Sequence, residues 1–94
     1  MAFARTVILE RVVEEFLEEE KSSYPPLERV FRALEWRIAR QPEVGAPVPG
    51  TNPKRYIVKS SYRFPLPLVL TLMYRYIETE IVIELARVDE DAGE

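Results

Sequence analysis

The chain has 94 residues, 47% hydrophobic and 31% charged, with a formal net charge of −3 and neither cysteine nor histidine. That length supports a single domain, residues 1–94, with a modest core. The missing residue types exclude a disulfide scaffold, a thiol nucleophile, a Cys- or His-ligated metal and a His-based triad, so function has to be read from the order of the residues.

The N-terminal apolar run, Val7 to Leu9, is too short for the core of an export signal. The most apolar stretch, Leu66 to Tyr74, includes Pro67 and falls far short of the ~20 residues that span a bilayer. A cytoplasmic protein without membrane contact is expected. Thr6-Val7-Ile8-Leu9 is β-branched and apolar, which favours a strand. From Leu9 the period becomes helical: Leu9, Val12, Val13, Phe16 and Leu17 fall on one side and Glu14, Glu15, Glu18, Glu19 and Glu20 on the other. Residues 5–10 therefore read either as a strand leading into a helix or as the start of that helix.

Lys21-Ser22-Ser23-Tyr24-Pro25-Pro26 breaks the element, and Pro26 suits a first helical turn. Leu27, Val30, Phe31, Leu34 and Ile38 trace the apolar stripe of a second helix, which Pro42 ends by disfavouring helical geometry at Gln41. Trp36 lies off the stripe, at the edge of the core or exposed. Residues 42–53 hold four of the eight prolines and two of the three glycines and read as an ordered loop.

Beyond the loop the period is two. Tyr56-Ile57-Val58 forms one predicted strand. Leu68, Leu70, Leu72, Tyr74 and Tyr76 line one side of a second, and Ile81, Ile83 and Leu85 one side of a third. Ile77 to Glu80 is the turn between them. Pro65 and Pro67 cannot donate to a ladder and place that approach at an edge or bulge. The acidic tail 89–94 is expected to fray. The predicted fold is α+β: a helical hairpin packed on a small antiparallel sheet, in the order (β)ααβββ.

Charge is segregated along this order. Residues 51–76 carry Lys54, Arg55, Lys59, Arg63 and Arg75 with no acid, between acidic flanks, and hold half of the ten aromatic residues. Such a block suits phosphate neutralisation by the cations with bases stacked on Tyr56, Tyr62, Tyr74 or Tyr76. It equally suits an acidic protein partner, and alternation along a strand makes a solvated basic face on its own account. The Glu14 to Glu20 run reads as a solvated helix face, since carboxylates without further ligands seldom hold a metal. No metal and no cofactor are expected. Trp36 is a candidate partner anchor. Arg87 is placed to reach the face of Arg75 or to compensate Asp89 and Glu90.

The order and wording of residues 28–87 resemble the RelE/ParE superfamily of toxins from type II toxin–antitoxin systems, the ParE-like plasmid stabilisation branch in particular. Leu34-Glu35-Trp36-Arg37-Ile38-Ala39-Arg40-Gln41-Pro42-Glu43-Val44-Gly45 looks like the family's second helix ending in Pro-x-x-Gly. Arg55 with Tyr56-Ile57-Val58, then Arg63-Phe64-Pro65, resembles its basic strand and Arg-Phe-Pro step. Tyr74-Arg75-Tyr76 and Ile81 to Arg87 resemble its closing hairpin. Val88-Asp89-Glu90-Asp91 stands where many members have a His and basic residues.

The resemblance implies a bacterial toxin neutralised by a cognate antitoxin and acting by binding its target, DNA gyrase in the ParE branch. A RelE-like nuclease that cuts mRNA on the ribosome is the alternative, with Arg55, Arg63, Arg75 and Tyr74 as its catalytic set and charge stabilisation carrying the reaction. A non-toxic interaction domain of the same fold is the third reading. Binding candidates are Lys54, Arg55, Lys59, Arg63, Arg75, Tyr76, Arg87 and Trp36, and homodimer formation is compatible with each reading. The missing His favours binding over catalysis.

Overall fold

The computed structural model describes residues 4–63 and 66–91, so Phe64 and Pro65 of the Arg-Phe-Pro step and the end of the acidic tail lie outside the described residues. The fold is α+β. Strand β1 (Thr6–Leu9) leads into helices α1 (Arg11–Glu20) and α2 (Leu27–Arg40), a 3₁₀ turn (Pro42–Val44), and strands β2 (Ala46–Val48), β3 (Arg55–Arg63), β4 (Pro67–Tyr76) and β5 (Glu80–Glu90). The five strands form one sheet in the order β1-β5-β4-β3-β2. The expected antiparallel sheet is mixed, because β1 pairs in parallel with β5 while β5, β4, β3 and β2 pair antiparallel. A parallel neighbour requires a long crossover, and here the helical hairpin is part of it.

Both helices behave as their periods dictate. Val13 and Leu17 of α1 are buried, as are Leu27, Phe31, Leu34, Ile38 and Ala39 of α2. Burying a side chain such as Phe31 stabilises by about 1.5–3 kcal/mol relative to exposure. Pro42 ends α2 as expected: Gln41 is driven to φ −137°, ψ 71°, out of helical space. Arg37 and Arg40 lie in the last turn, where cations complement the carbonyl end of the helix dipole. Val12, predicted on the apolar stripe of α1, is half exposed instead.

On the sheet, Val58, Leu70, Leu72, Tyr74, Ile81 and Ile83 pack with the buried helix residues into one core. Val7, Leu9, Tyr56, Tyr62, Tyr76, Ala86 and Val88 are partly buried against it. Three expectations need correction. The loop 42–53 contains β2, at the edge of the sheet, where the missing N–H of Pro47 is tolerated. Asp89 and Glu90 do not fray but pair with Val69 and Leu68, and the Asp91 N–H donates to the Pro67 carbonyl at 2.8 Å.

Leu85 is the third. Met73 pairs with Leu85 and Tyr74 with Ile83, so Glu84 is an extra residue, a β-bulge. The bulge reverses the parity of β5. Ile81 and Ile83 face the helices before it and Ala86 and Val88 after it, leaving Leu85 51% exposed on the opposite face.

The Tyr74 side chain ties the sheet to the chain beyond α2. Its hydroxyl donates to the Pro42 carbonyl at 2.5 Å and accepts from the Gly45 N–H at 3.0 Å. A Cβ at Gly45 would overlap that hydroxyl and press on Tyr56, which is why glycine is needed there. Burial pushes the Tyr74 phenol up to about 12. Because the folded-state value lies above the unfolded one of ~10, this contribution is intact below pH ~10 and is lost as pH rises toward 12.

Tyr74→Phe is expected to destabilise by about 1–3 kcal/mol, since it strands a buried donor and acceptor. It should also flatten the alkaline loss of stability above pH ~10. Gly45→Ala is expected to destabilise for the steric reason. Urea denaturation across pH checks all three.

Candidate binding face of the sheet

Both helices pack on one face of the sheet, and among the described residues no element covers the other. Strand alternation decides what that open face displays. In β3 the odd positions Arg55, Ile57, Lys59, Ser61 and Arg63 point away from the core, and the pairing carries the same parity onto Val69, Thr71, Met73 and Arg75 of β4. Past the bulge, Leu85, Arg87 and Asp89 of β5 join them.

The register sorts these side chains into rows across the strands. Arg55, Arg75 and the bulge residue Glu84 make a charged row. Ile57, Met73 and Leu85 make an apolar row beside it. Lys59, Thr71 and Arg87 make the next, with both ends cationic. The apolar row floors a shallow groove of about 180 Å³ lined by Ile57, Thr71, Met73, Leu85, Ala86 and Arg87.

Glu84 organises the charged row. Its Oε1 accepts from Arg55 Nε at 2.5 Å, and its Oε2 accepts from Arg55 Nη2 at 3.2 Å and from Arg75 Nε at 2.9 Å. The Glu84 side chain is only 11% exposed. Fork-shaped guanidinium contacts of this kind fix orientation as well as charge. The Arg55 hydrogen bonds, helped by Arg75, hold the Glu84 carboxyl below the usual carboxylate range, and Glu84 in turn raises Arg55. One carboxylate shared by two guanidiniums leaves the row cationic.

The sequence candidates divide between several surfaces. Arg55, Lys59, Arg63, Arg75 and Arg87 share the open face. Arg87 sits opposite Thr71, four residues or about 13 Å along the strand from Arg75, and pairs with Asp89 at 2.7 Å. Lys54 is exposed just before β3. Tyr56, Tyr62, Tyr74 and Tyr76 occupy even positions and lie on the helix side, where Tyr56, Tyr74 and Tyr76 contact one another and the Arg5 guanidinium stands 5.4 Å from the Tyr76 ring. The phenols and the cations expected to form one patch are therefore on opposite faces of the sheet. The nuclease set of Arg55, Arg63, Arg75 and Tyr74 is not brought together: Tyr74 is buried and both its hydrogen bonds are internal. Trp36 belongs to neither face and projects from α2.

Sequence reasoning missed Glu84, Met73 and Ile57. The parity of β3 and β4 was enough to place Ile57 and Met73 beside the arginines. Nothing in the sequence marked the bulge that adds Glu84 and Leu85. No helix among the described residues is long and apolar enough to cross a membrane. Comparison with protein families, with curated proteins and with solved structures finds no match.

Because Glu84 titrates lower in the folded state, it stabilises above the unfolded carboxylate value of ~4.5, and this contribution is lost as pH falls through the folded value. Glu84→Gln is expected to lower the urea midpoint at pH 7. The gap to the unsubstituted protein should close on acidification below pH ~4.

Proposed function

We propose that the chain is a ParE-like toxin of a type II toxin–antitoxin pair, acting by binding its target through the open face of the sheet and neutralised by a cognate antitoxin. The observation that carries the reading is the apolar row Ile57–Met73–Leu85 held between two cationic rows on an uncovered sheet face. Apolar contact flanked by arginine is the composition of a protein-binding surface, with Arg among the residues that dominate binding energy. The resemblance of residues 28–87 to the RelE/ParE superfamily supports the toxin assignment, and DNA gyrase is the target the ParE branch implies.

Binding is preferred to catalysis on chemical grounds. The chain has no histidine, so the open face carries no imidazole to act as an acid or base. The buried Tyr74 phenol, up at about 12 and on the far side of the sheet, is unsuited to proton transfer beside Arg55 and Arg75.

Expression of the chain alone is expected to arrest bacterial growth, with gyrase–DNA cleavage complexes accumulating. Co-expression of a short adjacent reading frame should relieve the arrest. Lys59→Glu with Leu85→Glu, both at exposed positions, should abolish it while the far-UV circular dichroism stays unchanged. Codon-specific mRNA cleavage would replace this reading with the ribosome-dependent nuclease. Unimpeded growth would leave a non-toxic interaction domain.

A further inference from the structure

The outer side of the helical hairpin carries a charge pattern that the sheet face does not use. On α2, Arg29, Ala33, Trp36 and Arg40 recur at helical spacing on the side away from the core residues Phe31, Leu34 and Ile38. Trp36 is 60% exposed. The Arg40 guanidinium lies 4.0 Å from its ring centroid and donates to the Trp36 carbonyl at 3.4 Å. Among the described residues Arg29, Arg37 and Arg40 have no carboxylate partner, whereas Arg32 is paired with Glu28 and Glu35. An exposed tryptophan among unpaired arginines is the composition of an interface anchor.

The complement is in the same chain. The outer side of α1 carries Glu14, Glu15, Glu18 and Glu19, of which Glu15 and Glu18 have only exposed local partners, Arg11 and Lys21, and Glu14 and Glu19 form no salt bridge among the described residues. The two helices lie side by side on the same face of the sheet. A twofold axis running between them, parallel to the hairpin, lays each anionic α1 on the cationic α2 of the other copy and satisfies both patches at once.

We propose that two copies of this chain pair through their helical hairpins, α1 of one across α2 of the other, with Trp36 buried at the centre. The occupant is a second copy because this chain supplies the acidic helix that the Arg29–Trp36–Arg40 stripe requires. The pairing leaves the open sheet face free and stands independently of the toxin reading.

The test is sedimentation equilibrium of the full chain over a concentration series, read together with the emission of its one tryptophan. A dimer is expected whose formation shifts the Trp36 emission to the blue, and which weakens roughly tenfold or more on going from low salt to about 0.5 M salt. Arg29→Glu with Arg40→Glu, and separately Glu15→Arg with Glu19→Arg, should each give folded monomers, and a mixture of the two should restore the dimer. A monomer at every concentration in low salt overturns the proposal, as does a dimer unmoved by both reversals or a mixture of folded variants that fails to associate. A monomer that instead binds a single-stranded oligonucleotide with quenching of Trp36 would assign the stripe to nucleic acid.

Discussion

The sheet depends on one extra residue in its longest strand. Without the bulge at Glu84, alternation along β5 would carry Leu85 into the core after Ile81 and Ile83, and Ala86 and Val88 would face water. With it, Ile81, Ile83, Ala86 and Val88 all contribute to the helix side, so an 11-residue strand keeps its core contacts across a change of parity. Bulges re-aim side chains in this way at a modest loss of ladder pairing. Here the re-aimed residues are a carboxylate and a leucine, and each completes a row on the opposite face. Glu84 draws Arg55 and Arg75 together, and Leu85 finishes the apolar row begun by Ile57 and Met73.

The same parity explains why the two halves of the basic, aromatic block have different roles. The tyrosines of β3 and β4 hold even positions and build the fold, with Tyr74 as the anchor that fixes Pro42 and Gly45 beneath the sheet. The cations hold odd positions and face out. A sequence interval that reads as one mixed surface is, once pleated, a core on one side and a charged face on the other. The arginines are oriented by Glu84 rather than by the phenols, so the face presents fixed positive charge beside apolar area.

Much of this was legible in the chain. The bounds of α2 follow from Pro26, the stripe Leu27–Phe31–Leu34–Ile38 and Pro42. The core side of β4 follows from Leu68, Leu70, Leu72 and Tyr74. The strand reading of residues 6–9 rests on β-branching, and the structure selects it because β1 finds a parallel partner in β5, a contact no local signal encodes. The bulge was not legible, because Glu84 is not a glycine and the pattern Ile81–Ile83–Leu85 is itself a good strand. β2 was hidden by Pro47 and the prolines around it, and Pro47 is permitted because the strand is an edge. Asp89 and Glu90 read as tail because acids are poor strand formers, yet pairing with β4 overrides that preference.

The fold leaves two unlike exposed surfaces. One is the open sheet face with its apolar row between cations. The other is the outer side of the hairpin, anionic on α1 and cationic on α2. The most direct test of the account is the strand register itself, read from cross-strand backbone contacts between β4 and β5 by nuclear magnetic resonance in solution. Met73 opposite Leu85 together with Tyr74 opposite Ile83 is the predicted result, with Leu85 accessible to solvent. An uninterrupted ladder placing Met73 opposite Glu84, with Leu85 buried, would contradict it and remove both rows of the open face.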